Sequence, residues 1–390
     1  MLVVGNKKNM IHPFTVHIEQ EKLDDLKSRL ERTRWPDEIP NSGWNYGANL
    51  DFMKDLHYYW LTQYNWRQTE KEINLYNNYI AEIDGNKIHF IHQKGKGKNP
   101  IPIIITHGWP GSFLEMMKIL PLLTQDSEIT FDVIIPSMIG YGFSSKFTKE
   151  GCNVGYMADL WVKLMKELGY GKFAVQGGDF GAGVSTAIAY KYPEYVMGIH
   201  LNYIPGNYVP DIEYDALTQE EKDYMKSEEE WYFREGGYSL QQKTKPITLA
   251  YGINDSPVGL CAWIVEKMLS WADYKDDIET AFTKDELLAN VTLYWLTETI
   301  HSSIRLYGEN SKYPIKLGKN DFITAPLGIA RFQYEAPFPP RCFVERGFKN
   351  ILHWANYSSG GHFAALEKPQ ELANDIKDFF SKISFRNDCP

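Results

Sequence analysis

The sequence predicts an α/β protein built on a mostly parallel sheet, with a mainly helical insertion and an N-terminal extension. Ile101–Thr106 and Phe131–Ile135 are continuous apolar runs, the pattern of strands buried on both faces. Between such runs the apolar residues fall at helical spacing, as in Met157, Leu160, Trp161, Leu164, Met165 and Leu168. Strands alternating with helices at this interval imply parallel pairing. From Pro205 to about Lys319 no buried strand run occurs, and charged, aromatic and helical segments take over. Four parts follow: an extension over 1–95, packing on core and cap, a first core segment over 96–204, a helical cap over 205–319, and a second core segment over 320–390.

In the extension, Leu23, Leu26 and Leu30 keep an i, i+3, i+7 spacing with charges between them, giving an amphipathic helix that stops before Trp35-Pro36. Phe52, Leu56, Tyr59 and Trp60 form a second such face. Asn78–Ile83 and Lys87–His92 read as strands joined at Asp84-Gly85-Asn86. His89 and His92, three apart on a strand, point to opposite faces, which argues against a metal pair. Gly169 suits a helix C-cap, and strands follow at Phe173–Val175 and Met197–Tyr203. After the insertion the sheet pattern is expected to return at Phe322–Pro326 and near Ile351–Tyr357. A closing amphipathic helix carries Leu372, Ile376, Phe379 and Phe380.

Composition narrows the class. A length of 390 residues suits one large domain with an insertion. A net charge of −9 without a basic run excludes nucleic acid and anionic membrane as expected partners. Cys152, Cys261, Cys342 and Cys389 are scattered, as reduced thiols are, with neither disulfide nor zinc spacing. No signal peptide or apolar span opens the chain. A soluble cytoplasmic protein without metal or cofactor is expected. Oligomeric state is not set by the sequence, and a homodimer stays open.

The chain is organised around Gly177-Gly178-Asp179-Phe180-Gly181, which has the frame of a G-x-S-x-G nucleophile elbow with Asp in place of Ser. Glycines two residues either side let neighbouring backbone approach. The Asp alters the chemistry. A serine that opened an alkyl electrophile would become an ether, inert to mild hydrolysis. A carboxylate becomes an ester, which water can cleave at its acyl carbon. Asp179 therefore suits displacement at an alkyl carbon, as in an epoxide or a haloalkane. The competing reading is a surface Asp capping a helix.

Ester hydrolysis also needs an oxyanion hole, a base and a group to orient the base. His107-Gly108-Trp109-Pro110 follows a buried strand, where an elbow enzyme places its first oxyanion donor, so the Trp109 amide is one candidate and that of Phe180 the other. His107 itself reads as structural. The base is best sought in Gly360-Gly361-His362-Phe363, after the last strand, ahead of His200, His301 and His353. Between Asp179 and His362 the acid is to be sought after the cap, with Glu335 as the best candidate and Asp321 and Glu345 as rivals, although a lone Glu in a loop is usually just solvated.

His107-Gly108-Trp109-Pro110, the Asp elbow, Asn254 to Gly259, Gly361-His362-Phe363-Ala364-Ala365 and Thr33-Arg34-Trp35-Pro36 together resemble the epoxide hydrolases of the microsomal and juvenile-hormone type. The likeness runs from about residue 12 to 382, with its motifs in order. It implies an α/β-hydrolase core under a helical cap and epoxide hydrolysis to a vicinal diol through a covalent ester. It also implies two cap tyrosines donating to the epoxide oxygen: Tyr238, followed by Thr244-Lys245-Pro246, and Tyr307, in Ser303 to Tyr307. A phenol, with a pKa near 10, is still protonated at neutral pH. Glu335, in Phe332-Gln333-Tyr334-Glu335, falls where that family has its acid. Membrane-bound members carry an N-terminal anchor helix. The start of this sequence leaves little room for one, so the comparison is with soluble fungal and bacterial members.

Haloalkane dehalogenase is the nearest rival, but it needs a ring N–H for the halide, commonly a Trp after the nucleophile, and Phe180 has none. A serine esterase is weaker, because Ser185 of Gly183-Val184-Ser185-Thr186-Ala187 falls inside the helix after the elbow. A non-catalytic ligand-binding homologue would be free to lose parts of the constellation, whereas all are present. The many aromatics suggest a small apolar epoxide as substrate.

Overall fold

The computed structural model describes residues 11–204, 212–274 and 278–387. The first ten residues, the opening of the insertion at 205–211 and Cys389 lie outside the described residues. One sheet runs through the molecule, from β1 (Ile11–Phe14), β2 (Asn78–Ile83), β3 (Asn86–Gln93), β4 (Ile101–Thr106) and β5 (Phe131–Pro136) to β6 (Phe173–Gly177), β7 (Val196–Leu201), β8 (Leu327–Phe332) and β9 (Ile351–Tyr357). Its spatial order is β1-β2-β3-β5-β4-β6-β7-β8-β9. The first three strands and the β3–β5 pair are antiparallel. All pairs from β5 through β4 to β9 are parallel. The extension thus supplies strands to the sheet as well as helices around it.

The helices are α1 (Gln20–Glu31), α2 (Leu50–Thr62) and α3 (Trp66–Ile73) before the core, then α4 (Ile119–Thr124), α5 (Val154–Glu167) and α6 (Asp179–Lys191) within it. The cap holds α7 (Gln219–Glu235), α8 (Gly237–Thr244), α9 (Pro246–Ile253), α10 (Pro257–Ser270), α11 (Lys284–Thr297), α12 (Ile300–Ser303) and α13 (Arg305–Lys312). After it come α14 (Arg341–Gly347), α15 (Ala364–Glu367) and α16 (Pro369–Asn387). Their starts follow capping chemistry. Thr218 and Thr283 form reciprocal capping boxes with Glu221 and Glu286, and Ser256 accepts from the Gly259 amide just before Pro257 at the first helical position.

Alternation along the strands divides the core in two. Ile104, Ile134 and Val175 pack with Leu160, Trp161 and Leu164 of α5 on one face. Ile103, Ile105, Val133 and Ile135 pack with Leu120 of α4 and Phe379 and Phe380 of α16 on the other. That double burial explains why β4 and β5 read as unbroken apolar runs. One expected strand is misplaced. Residues 322–326 make only an isolated bridge, Ile323 with Phe348, and the strand after the cap is β8, Leu327–Phe332. Gly328 there lies against the Phe379 ring, so small residues are needed where a strand signal would be bulky and β-branched. Among the described residues no helix is long and apolar enough to cross a membrane.

Candidate active site

The elbow is built by close approach. A β-carbon at Gly177 would collide with the Gly181 backbone, and one at Gly181 with the Thr106 carbonyl. Between them Asp179 is held at φ +46, in the left-handed region, at the first turn of α6. Trp109 N donates to Asp179 Oδ1 at 2.9 Å. The Phe180 amide lies in the first turn of α6, where no intrahelical acceptor is available. One carboxylate oxygen thus accepts from the Trp109 amide, the Phe180 amide follows directly in the chain, and the other oxygen faces a histidine.

That histidine is His362, with Nε2 at 3.5 Å from Asp179 Oδ2. Its Nδ1 lies 2.7 Å from Glu335 Oε1, and both side chains are buried, His362 7 % and Glu335 1 % exposed. Burial alone would lower the imidazole pKa. The Glu335 and Asp179 carboxylates on either side prevail and raise it well above the usual value. The rivals are elsewhere. Asp321 accepts from the Tyr190 hydroxyl, Glu345 pairs with Arg341, and His200 and His353 both face Asp375. His301 lies near Asn254 in the cap. His107 is fully enclosed, with Nε2 accepting from the Met138 amide, and burial lowers its pKa to about 4.

Tyr238 on α8 and Tyr307 on α13 hang from the cap toward the same place. The Trp109 ring stacks on Tyr238 (5.4 Å, 8°) and meets Tyr307 edge-on (5.7 Å, 89°). The two phenols are themselves edge to face at 5.7 Å, and Phe180 packs on Tyr307 at 4.7 Å. Burial, aided by the Asp179 charge, pushes the Tyr238 pKa far up, and a hydrogen bond from Tyr307 opposes this in part. Tyr307 is raised well above 10 by burial and then by Tyr238 and Asp179. Both stay protonated.

Asp179 stands between two spaces. A cavity of about 500 Å³ is lined by Phe180, Tyr203, Tyr238 and Tyr307, and also by Glu228 and Lys243. A chamber of about 40 Å³ is bounded by Asp179, Tyr203, Tyr238, Trp271 and His362, with room for at least one water. The structure thus brings together Asp179, His362, Glu335, Tyr238, Tyr307, Trp109 and Phe180. Sequence reasoning missed Tyr203, which borders both spaces, and Trp271, whose ring is 5.2 Å from His362 and 5.1 Å from Tyr238. Neither belongs to a motif, and only folding brings it to the site.

A parallel sheet, a strained elbow after β6, a histidine loop after β9 and a helical cap define an α/β-hydrolase, and residues 101–248 match that fold's family. Residues 11–116 match the epoxide hydrolase N terminus. The chain is 36% identical over 412 residues to Epoxide hydrolase 1 of Oryctolagus cuniculus, covering 97% of this chain and 90% of that protein. It superposes on the crystal structure of juvenile hormone epoxide hydrolase from the silkworm Bombyx mori with TM-score 0.85 at 29% identity, covering 96% of this chain and 94% of the other. Aspergillus niger epoxide hydrolase gives TM-score 0.85 at 29% identity, covering 96% and 97%. The chain belongs to the epoxide hydrolase family and is a hydrolase of that kind.

Proposed function

We propose that this enzyme opens an epoxide by attack of Asp179 and releases the diol by hydrolysis of the resulting ester. The observation that carries the reading is the placing of one carboxylate with Oδ1 on the Trp109 amide and Oδ2 toward His362, between a large cavity and a small chamber. Oδ2 attacks an epoxide carbon, its C–O bond breaks, and a proton from the Tyr238–Tyr307 pair neutralises the developing alkoxide. Asp179 is then a neutral ester. Losing that charge removes one of the two carboxylates that raise the His362 pKa, so the imidazole can act as a base at the stage that needs one. His362, oriented by Glu335, takes a proton from water in the chamber, and the hydroxide attacks Cγ of Asp179. The charge that develops on Oδ1 is met by the Trp109 and Phe180 amides. Collapse breaks the Oδ2–alkyl bond, the leaving alkoxide takes the proton of the attacking hydroxyl and departs as the vicinal diol, and Asp179 is ionised again. The proton that His362 gave up before acting as base restores the phenol donor.

The aromatic walls receive an apolar epoxide body, while Glu228 and Lys243 give the same cavity polar points of contact. Halide displacement is disfavoured because the Phe180 side chain offers no ring N–H beside the nucleophile, whereas two phenols suit an oxygen leaving group. The test is a single turnover in heavy-oxygen water with enzyme in excess. The diol should leave unlabelled while the Asp179 peptide gains the heavy oxygen. Label appearing directly in the diol, with none in Asp179, excludes the ester.

A further inference from the structure

Four consecutive amides of the histidine loop are all spoken for, and all by the same neighbourhood. Gly360 N donates to Asp273 Oδ2 at 2.7 Å. Gly361 N donates to Glu367 Oε2 at 2.9 Å, and Phe363 N to Glu367 Oε1 at 2.9 Å. His362 N donates to the Trp271 carbonyl at 2.9 Å. The acceptors are Glu367, at the end of α15, and residues 271–273, the cap segment that leaves α10. Glu367 also holds that cap segment, since its Oε2 takes the Asp273 amide at 2.7 Å. One carboxylate thus receives three backbone N–H groups, two from the core loop and one from the cap. The join is tight, because a β-carbon on Gly361 would run into the backbone of Trp271, Ala272 and Asp273.

We infer that Glu367 is a positioning residue for ester hydrolysis: its carboxylate latches the His362 loop to cap segment 271–273, so base and cap are held as one unit. The unit extends through Trp271. Its ring lies 5.2 Å from that of His362, whereas Tyr238, which it also meets, keeps separate support from Trp109 and Tyr307. The Glu367 carboxyl is pushed up to about 7 by burial, which the three amides and the His362 charge only partly offset. Burial of a carboxylate at such a cost fits a group whose acceptor capacity is used. Other titratable groups border it: Asp273 and His362 are tied into the same loop, and Glu115, whose own carboxyl burial raises to about 8, lies within electrostatic reach.

Oxyanion donors and nucleophile stand outside this latch, on the β4 loop and α6, and that separation makes the inference testable. Glu367→Gln keeps the shape but turns an NH2 group toward N–H donors. Misplacing a catalytic group by about 1 Å costs on the order of 10²-fold. Ester decay in Glu367→Gln should therefore slow by roughly 10- to 100-fold, while ester formation stays within about twofold. Rapid quench followed by mass spectrometry of the Asp179 peptide measures both rates. Glu367→Asp, which retains the carboxylate, should recover part of the loss. Asp273→Asn, acting from the cap side of the latch, should slow decay in the same sense, and it carries the test if Glu367→Gln does not fold. Parallel loss of formation and decay, or no change in either with the fold intact, overturns the inference. It rests on the ester reading: if the unaltered enzyme forms no ester, that reading fails, whereas a normal ester with decay untouched by these variants refutes the latch alone.

Discussion

Tyr238→Phe isolates one hydroxyl from everything else the residue does. The ring stacks on Trp109 at 5.4 Å and lies 5.1 Å from Trp271, and phenylalanine keeps both contacts. What is lost is one of two protonated donors above Asp179. Removing a single preorganised donor from a developing oxyanion costs about 10²–10³-fold. Tyr307 remains only 5.7 Å away, ring to ring, so it can take over part of the charge, and the lower figure applies: about 10²-fold, roughly 2.7 kcal/mol. The loss should fall on ester formation, because the alkoxide is created there, and ester decay should change by less than about threefold. Tyr307→Phe should behave alike. The double variant should lose more than the product of the two, since adjacent groups that substitute for one another are not additive. Pre-steady-state quench with styrene oxide as probe reads each step. Slow decay with unchanged formation in Tyr238→Phe would place the phenol in the wrong half of the reaction and refute the assignment.

Three other outcomes follow from the same geometry. His362→Gln should stop at the ester, which intact-protein mass spectrometry detects as one substrate mass added to the enzyme; an unmodified enzyme after substrate addition contradicts the base assignment. Ester formation should show no inflection near the ordinary histidine value of about 6.5, because Glu335 and Asp179 hold the resting imidazole protonated well above it. Decay should instead rise with pH as His362 beside the neutral ester gives up its proton, and single-turnover rates across pH separate the two. On the far side of the sheet, Asp375 takes His200 Nε2 at 2.8 Å and the Tyr357 hydroxyl at 2.7 Å, with His353 at 3.0 Å. Burial raises its pKa, but the bonds to His200 and His353 prevail and depress it below the usual carboxylate value. A depressed carboxylate contributes stability above its unfolded pKa of about 3.9 and loses it as pH falls through the folded one. Asp375→Asn should lower stability at neutral pH by roughly 2–4 kcal/mol, read from the urea midpoint, and the deficit should shrink in acid.

The parts that were legible in the sequence are those where local chemistry has one solution. The elbow needs glycine on both sides of Asp179 because β4 and α6 leave no room for a β-carbon, and that demand is written in the residues themselves. β4 and β5, buried on both faces, announce themselves as apolar runs. β8 does not, because Gly328 and Ala330 make room for helix side chains and Arg331 faces outward, so the run looks broken. β1 was invisible for another reason: Ile11 to Phe14 is four residues long and paired only on one side. Glu335 could be ranked above Asp321 and Glu345 only with a family pattern, since all three follow the cap in loop-like sequence. Distance alone separates them. Trp271, Tyr203 and Glu367 carry no local signature, because their roles come from what a fold brings opposite them.

How the N-terminal extension bears on catalysis can be decided by magnitude. α1 lies against α2 and α10, and α10 ends at Trp271 beside His362. Two kinds of contact hold it there. Arg29 reaches Asp255, at the start of the cap helix, with bonds of 2.8 Å to the carboxylate and 2.9 Å to the carbonyl. With Arg29 35% and Asp255 81% exposed, solvent screens the pair, and such a bridge contributes about 0.2–1 kcal/mol. Leu26, Leu30 and Leu56 are buried in the same cluster as Leu260 and Ile264 of α10. Truncating a buried leucine to alanine costs about 2–5 kcal/mol. The apolar seam must therefore dominate. Leu56→Ala should lower both the thermal midpoint and ester decay, while Arg29→Ala should leave both nearly unchanged. If Arg29→Ala proves the more damaging of the two, the extension is held to the cap by charge, and its support of the histidine loop has to be sought through Asp255 instead of through the core.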